Sequence, residues 1–174
     1  PAVGFLTRRN YRRYNESVTF SPRPRNNRVV RQYFFIATGD VQTDLQNDPI
    51  VQSIDAQFFG VALQSQETFN AHVIATKERL DQPFNIRRGI TLPLGAEYTF
   101  TRVRGVWQTA NRRVIALGGR IESGQFYSGT RHEFVTNLTA RISPGYIVYL
   151  TGELNRVNLP EGAFTTRLYR IIGE

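Results

Sequence analysis

Apolar and polar residues alternate along most of this chain, and this period of two constrains its fold more than any other feature. In the clearest stretch, one row holds Phe134, Thr136, Leu138, Ala140 and Ile142, and the other holds Arg131, Glu133, Asn137 and Arg141. Such alternation is typical of a β-strand with one dry face and one wet face. Similar rows occur at 33–41, 69–75, 115–121 and 146–154. The chain is therefore predicted to be all-β.

Short turn signals separate these rows, at 21–27, 46–49, 65–68, 109–113 and 143–145. Connections too short for a crossover helix require antiparallel pairing, so an up-and-down meander is predicted. The predicted strands cover 10–20, 28–43, 50–64, 69–80, 97–109, 113–125, 131–142 and 146–157, and a ninth opens at Phe164. Residues 81–95 are predicted to form a long loop. We treat residues 1–174 as a single β-barrel-like domain.

Several predicted strands have ten or more residues, which is longer than the usual five or six of soluble sheets. Strands of about 9 to 11 residues are what a tilted membrane strand needs. This length predicts either a barrel or a strongly curved open sheet. Alternation by itself does not decide whether the apolar face meets lipid or a protein core.

The formal net charge of +8 can indicate a partner that carries phosphate groups. The basic residues are spread from Arg8 to Arg170, and Lys77 is the only lysine. Because they form no single run, the sequence predicts no nucleic-acid partner. The chain has no cysteine, which excludes disulfides, thiolate metal sites and thiol nucleophiles.

The two histidines, His72 and His132, are the best candidates for acid–base chemistry. His132 precedes Glu133 directly, but neighbours along a strand point to opposite faces. The chain also lacks HxH and HExxH motifs and calcium-loop spacing of carboxylates. We therefore predict no catalytic residues, no metal site, no cofactor and no enzymatic activity.

Arginine and aromatic residues are the candidates for partner binding, because these types carry much of the energy of protein interfaces. Phe126 and Tyr127 lie in an apparent turn, SGQFYSGTR, where we expect them to be exposed. Arg12, Arg13 and Arg23 are the candidate charges for docking to an acidic surface. Reversing these three charges is expected to weaken partner binding rather than folding.

Three segments resemble a known family: VGFLTRRNYRRYNESVTFSPRPR, GGRIESGQFYSGTRHEFVTNLTARISPGYIVYLTGELN and NRVNLPEGAFTTRLYR. They are similar to the C-terminal, outer-membrane-barrel-like region of uncharacterised bacterial envelope proteins. In those proteins the region follows a carbohydrate-binding module similar to family nine, which is absent here, so sugar binding is not expected. The sheet of that family continues beyond FTTRLYR, which implies an open sheet whose free edge needs a cover.

Together these features predict a non-enzymatic structural or scaffold subunit of a larger membrane-associated complex, whether respiratory, photosynthetic or secretory. Its expected partners are other protein subunits or lipid, and its expected place is the bacterial envelope, in the periplasm or outer membrane. The alternative is an autonomous small outer-membrane barrel or pore. Its interior would be filled by side chains such as Arg120, Glu122, Asn137, Arg141 and Glu153.

Overall fold

The computed structural model describes residues 10–87, 89–143 and 145–173. Arg88 of the predicted loop and Pro144 of the predicted 143–145 turn lie outside the described residues. The strands are β1 (Arg12–Phe20), β2 (Val30–Tyr33), β3 (Phe35–Thr43), β4 (Pro49–Leu63), β5 (Thr68–Arg79), β6 (Phe84–Arg87), β7 (Ile90–Leu92), β8 (Glu97–Gln108), β9 (Ile115–Phe126), β10 (Gly129–Ser143), β11 (Tyr146–Leu159) and β12 (Gly162–Gly173). Among the described residues, none belongs to a helix that could span a membrane.

Nine long strands form one antiparallel sheet in the order β1-β3-β4-β5-β8-β9-β10-β11-β12, and β2 pairs with β4 beside β3. The all-β, up-and-down architecture predicted from the sequence is therefore confirmed. Of its two forms, the strongly curved open sheet is the one observed. In the described part of the chain β1 and β12 each pair along one side only.

Connections alternate between two ends of this sheet because every neighbouring pair is antiparallel. The upper end carries the turns 44–48, 127–128 and 160–161 and the connection 80–96. The lower end carries the loop 21–29, the connections 64–67 and 109–114, and the passage from β10 to β11. Residues that are distant in sequence therefore meet at one end.

Two local features differ from the sequence prediction. The predicted strand 28–43 is divided into β2 and β3 at Phe34, whose backbone N–H donates to the Gly60 carbonyl at 2.8 Å. Within the predicted 81–95 loop, β6 and β7 pair as a small separate sheet. These two strands have four and three residues, which is too short for a period of two to be recognised.

The long strands have an outer face and an inner face, which the pairing register identifies. Ile121 is opposite Phe134 and Gly105, so these residues share the outer face. Glu122 is opposite Glu133 and Arg104, and this set shares the inner face. Glu122 and Glu133 are only 4% and 5% exposed, because side chains crowd together on the concave side of a curved sheet.

A small hydrophobic core lies at the upper end of the inner face. It consists of Ile90 from β7 with Val157 and Leu159 from β11, and the partly buried Ile86, Phe126 and Phe164 pack around it. Gly162 begins β12 beneath this core with φ +153°. A Cβ atom there would lie 2.9 Å from Ile90 Cδ1, so a larger residue would push the hairpin away.

We expect Leu92→Ala to lower the free energy of unfolding by about 2–5 kcal/mol, since it removes a fully buried side chain and leaves a cavity. Leu94→Ala is the matched control, because Leu94 is exposed two residues further along the same connection. Denaturant titration of both variants measures the difference. Equal stability of the two variants would contradict the assignment of Leu92 to the packed interior.

Candidate functional site

Ion pairs run across the inner face in the middle of the sheet. Glu122 of β9 accepts from Arg102 Nη1 and from Arg104 Nε on β8, each at 2.7 Å. Arg104 Nη1 also reaches Asp55 Oδ2 on β4 at 3.0 Å. Asp55 Oδ1 lies 2.7 Å from His72 Nδ1 on β5. These hydrogen bonds and ion pairs therefore link the polar side chains of four strands, β4, β5, β8 and β9, into one network.

A second group of charges continues the pattern towards β11. Glu133 Oε2 accepts from Arg120 Nη2 at 2.6 Å, and its Oε1 accepts from Arg131 Nη2 at 2.5 Å. Arg131 also donates through Nε to Asn155 Oδ1 at 3.2 Å. Two arginines therefore share one buried carboxylate, which is the pairing that a buried charge requires.

The outer face shows the opposite chemistry. Large apolar side chains remain in the open along it, with Val18 74%, Ile54 59%, Val103 55% and Ile171 76% exposed. Trp107 packs its ring over Gly119 on the neighbouring strand, where a Cβ atom would lie 2.2 Å from Trp107 Cζ2. Further exposed apolar residues of this face are Phe20, Phe35, Phe59, Phe69, Val73, Ile115, Leu117, Ile121, Phe134, Leu150, Leu154 and Tyr169.

The apolar residues of the outer face form a band that runs obliquely across the strands. In one register row, Ile54 and Ala75 on β4 and β5 give way to Gln125 and Thr130 on β9 and β10. Nearer the lower end, the row of Leu117, Leu138, Leu150 and Ile171 is entirely apolar. From β3 to β12 the band therefore moves by roughly one residue per strand. With about 3.3 Å of rise and about 4.8 Å between strands, this is an inclination of roughly 30–35°.

The predicted partner-binding arginines do not form one patch. Arg12 lies at the upper end of β1 and hydrogen-bonds the Asn47 side chain. Arg13 is on the inner face, where its Nε donates to Asp40 Oδ2 at 2.6 Å. Arg23 is at the lower end and donates to Gln32 Oε1 at 3.0 Å. Reversing the charge of Arg13 would place two carboxylates together, so its effect would extend to folding.

Phe126 and Tyr127 are also placed differently from the expectation of an exposed turn. Both are only partly exposed, and their rings lie 4.7 Å apart. The Tyr127 ring contacts those of Phe84, Tyr98 and Phe100, and its hydroxyl donates to Glu78 Oε2 at 3.0 Å. A left-handed backbone at Tyr127, φ 49°, turns this segment inward. A role in partner binding for either residue stays a prediction.

The histidines occupy opposite faces of the sheet. His72 is on the inner face beside Asp55, whereas His132 is on the outer face, with Nδ1 2.7 Å from Ser123 Oγ. His132 and Glu133 do not face each other, as the alternation predicted. No group of three or more His, Cys, Asp or Glu residues within the described ranges could hold a metal ion.

Comparison with known proteins adds no assignment. No family model, curated protein or solved structure matches this chain. The resemblance to barrel-like regions of envelope proteins therefore stays a prediction. What distinguishes the molecule is its own geometry, with buried ion pairs inside the curve of the sheet and most of the exposed large apolar side chains outside it.

Sequence reasoning placed Arg120, Glu122, Asn137, Arg141 and Glu153 in the interior of the alternative small barrel, and the register puts all five on the inner face. It missed Asp55 as a partner of Arg104 and His72, and Asp40 as the partner of Arg13. The signal for them was weak, because each is a single acid in a mixed polar row. Pairing with an arginine becomes evident only once the register is known.

We expect Glu122→Gln to lower the free energy of unfolding by about 1.5–3 kcal/mol, because two guanidinium groups would lose their shared charged acceptor. The measurement is denaturant titration at neutral pH. Glu97→Gln is the matched control, since Glu97 faces Lys77 at 3.6 Å with both side chains more than half exposed, and such pairs contribute little. A loss as large in Glu97→Gln as in Glu122→Gln would contradict a structural role for the network.

Proposed function

We propose that this chain is a non-enzymatic, membrane-embedded wall of a β-barrel-type envelope protein. Its outer face contacts lipid hydrocarbon, and its inner face lines the barrel interior. The observation that carries the proposal is the oblique apolar band, which lies opposite a face of ion pairs. A protein with its apolar side chains outside and its charges inside suits hydrocarbon as a solvent.

The size of the band supports contact with lipid. A water-soluble monomer rarely exposes apolar patches beyond a few hundred Å², whereas here the band crosses every long strand of the sheet. On β10 it covers 134–142, roughly 27 Å along the strand and about 22 Å once the tilt is taken into account. Lipid-facing bands of outer-membrane barrels are about 25 Å tall.

The inclination of the band supports the same proposal. Strands of closed barrels tilt by about 35–45° to the barrel axis. A planar layer of lipid would then meet each successive strand at a shifted position, which is the shift observed between β3 and β12. A flat protein partner imposes no such constant shift.

The inner face favours a structural role over conduction. Its buried glutamates are held by arginines on neighbouring strands, and the β6–β7 hairpin covers its upper end. Side chains fill the interior of small barrels in the same way. We therefore expect low ionic conductance.

The only tryptophan of the chain gives a direct test, because Trp107 is on the outer face. In vesicles with brominated acyl chains, we expect its fluorescence to be strongly quenched, since bromine quenches at contact in the hydrocarbon layer. The matched control is the double variant Trp107→Phe with Tyr149→Trp, which moves the indole to the inner face. Its emission should be quenched much less.

Equal quenching of both indoles would mean that the two faces meet lipid alike and would overturn the proposal. Absence of quenching at Trp107, in a protein that sediments with the vesicles and keeps its β-sheet circular dichroism, would overturn it as well. Covering of the outer face by a protein would then be the better account.

A second candidate function is the scaffold subunit of a larger membrane complex, and it is favoured by β1 and β12, which within the described residues each pair along one side only. Nine antiparallel strands leave the first and last strand running in the same direction. Antiparallel closure therefore needs an odd number of further strands. Two copies in the same membrane orientation would have to join β1 to β12 in parallel, so among covers from another molecule a strand of a different partner fits better than a second copy.

Cysteine cross-linking tests this second function, because the natural chain has no cysteine. The probe is a peptide with the β11 sequence in which Thr151→Cys places a thiol on the inner face. We expect disulfide formation with Ser17→Cys on β1 and with Thr166→Cys on β12. Asn137→Cys on the internal strand β10 is equally exposed and is the matched control. Its disulfide should form at least about tenfold more slowly, since only docking at an edge strand raises the local thiol concentration.

The double variant Ser17→Cys with Thr166→Cys separates the other arrangements. A disulfide within one chain would mean that the sheet closes on itself. A disulfide between two copies would mean self-association. Either result, if as efficient as peptide capture, would contradict the need for a partner strand while leaving lipid contact at Trp107 unaffected.

A further inference from the structure

Arginines that are scattered in the sequence gather at the lower end of the sheet. We call this set the lower rim, and it consists of Arg23, Arg25, Arg28, Arg31, Arg112, Arg113 and Arg141. They come from the loop 21–29, the start of β2, the 109–114 connection and the end of β10. Glu67 is the acidic residue at this end of the described chain. The rim therefore carries a strong positive charge.

Most of this charge is uncompensated. Glu67 pairs with Arg113, and the pKa of Glu67 is lowered by a hydrogen bond from Ser65 and by the charge of Arg113. Arg25, Arg28, Arg31 and Arg112 are exposed, and within the described ranges none of them has an ion pair or a side-chain hydrogen bond. Their guanidinium groups are available to an external anion.

The loop that carries the first of these arginines is well held. Asn27 Oδ1 accepts from the backbone N–H groups of Val29 and Val30 at 2.9 and 2.8 Å. The backbone N–H of Gln64 donates to the Val29 carbonyl at 2.8 Å, which ties the loop to the end of β4. Pro22 and Pro24 further restrict the backbone. The backbone of such a loop loses little entropy when its arginines bind.

The upper end differs in charge. Acidic residues predominate there, namely Asp44, Asp48, Glu78, Asp81, Glu97 and Glu161. Four basic residues of the described chain also lie at this end, Arg12, Lys77, Arg79 and Arg87, and of these Lys77 and Arg79 pair with Glu97 and Asp44 at 3.6 Å. The two ends of the sheet therefore differ in net charge, and the net positive charge lies at one boundary of the apolar band.

The rim begins where the apolar band stops. Phe20 ends β1 on the outer face, and Arg23 follows three residues later. On the other side, Ile115 begins β9 directly after the 109–114 connection that holds Arg112 and Arg113. If the band lies in hydrocarbon, the rim is at the level of the lipid headgroups.

We propose that the lower rim binds the phosphate groups of anionic lipid headgroups and thereby fixes the orientation of the chain in the membrane. This inference rests on the lipid contact proposed above. Guanidinium groups pair with phosphate through two parallel hydrogen bonds. Basic residues beside a membrane each favour an anionic surface by about fivefold. A nucleic acid or an acidic protein could bind the arginines, but neither would explain why the rim lies directly beside the apolar band.

The test compares vesicles of phosphatidylcholine alone with vesicles that also contain phosphatidylglycerol. Binding of the full chain is measured by flotation, at several concentrations of sodium chloride. We expect tighter binding to the anionic vesicles, decreasing with salt. Arg25→Gln with Arg28→Gln should reduce this preference by about 25-fold, since each removed charge contributes about fivefold.

Arg12→Gln with Arg167→Gln is the matched control, because it removes the same charge away from the lower rim. It should leave the preference nearly unchanged. An equal loss in both double variants would show that net charge alone drives binding and would overturn the proposal. Loss of the preference in millimolar inorganic phosphate, but not in chloride of equal ionic strength, would indicate a free-phosphate site and also overturn it.

Equal affinity for a short oligothymidine and for the anionic vesicles would identify a general surface for polyanions and would also overturn the proposal. Quenching of Trp107 by brominated lipid in the same samples keeps the two proposals apart. Quenching without any preference for phosphatidylglycerol would refute lipid-phosphate binding by the lower rim but not the membrane-embedded position of the sheet. Absence of quenching would refute that membrane-embedded position.

Discussion

The antiparallel backbone ladder is the constraint on which the rest of this molecule depends. Because it sends successive side chains to opposite faces, one sequence period produces both the apolar band and the ion-paired face. Each carboxylate on the inner face meets its arginine only through the register of neighbouring strands, as Glu122 meets Arg104. A slip of one residue on β9 would put Ile121 inside and Glu122 outside. The ion pairs of the inner face and the apolar band of the outer face therefore both depend on the same register.

Much of the sheet could be predicted from the sequence, because long alternating strands leave a clear signal. The 131–142 row became β10, and the 146–157 row became β11, with only the ends extended. The β6–β7 hairpin left no such signal, since it is short and Ile90 is held by Val157 and Leu159, far away in the chain. Local pattern cannot report a contact of that kind. Phe126 and Tyr127 were expected outside for the same reason, although their turn folds inward.

The candidate sites, too, were only partly predictable from the sequence. The inner-face position of Glu122 followed from alternation, but its partners required the register. The arginines of the lower rim were visible one by one and were judged to be scattered, although a meander already implies that alternate connections share an end. Arg28 and Arg112 are 84 positions apart in the sequence and belong to the same boundary of the sheet. Reading charges by connection, rather than along the chain, would have found the rim.

The hairpin inside the curve also ties the middle of the chain to its last strands. Ile90 belongs to the connection between β5 and β8, yet the residues that bury it lie on β11, and Gly162 of β12 leaves the space it needs. The packing of Ile90 therefore depends on strands that come much later in the chain. The last strands of the meander thus complete the interior that the middle of the chain begins.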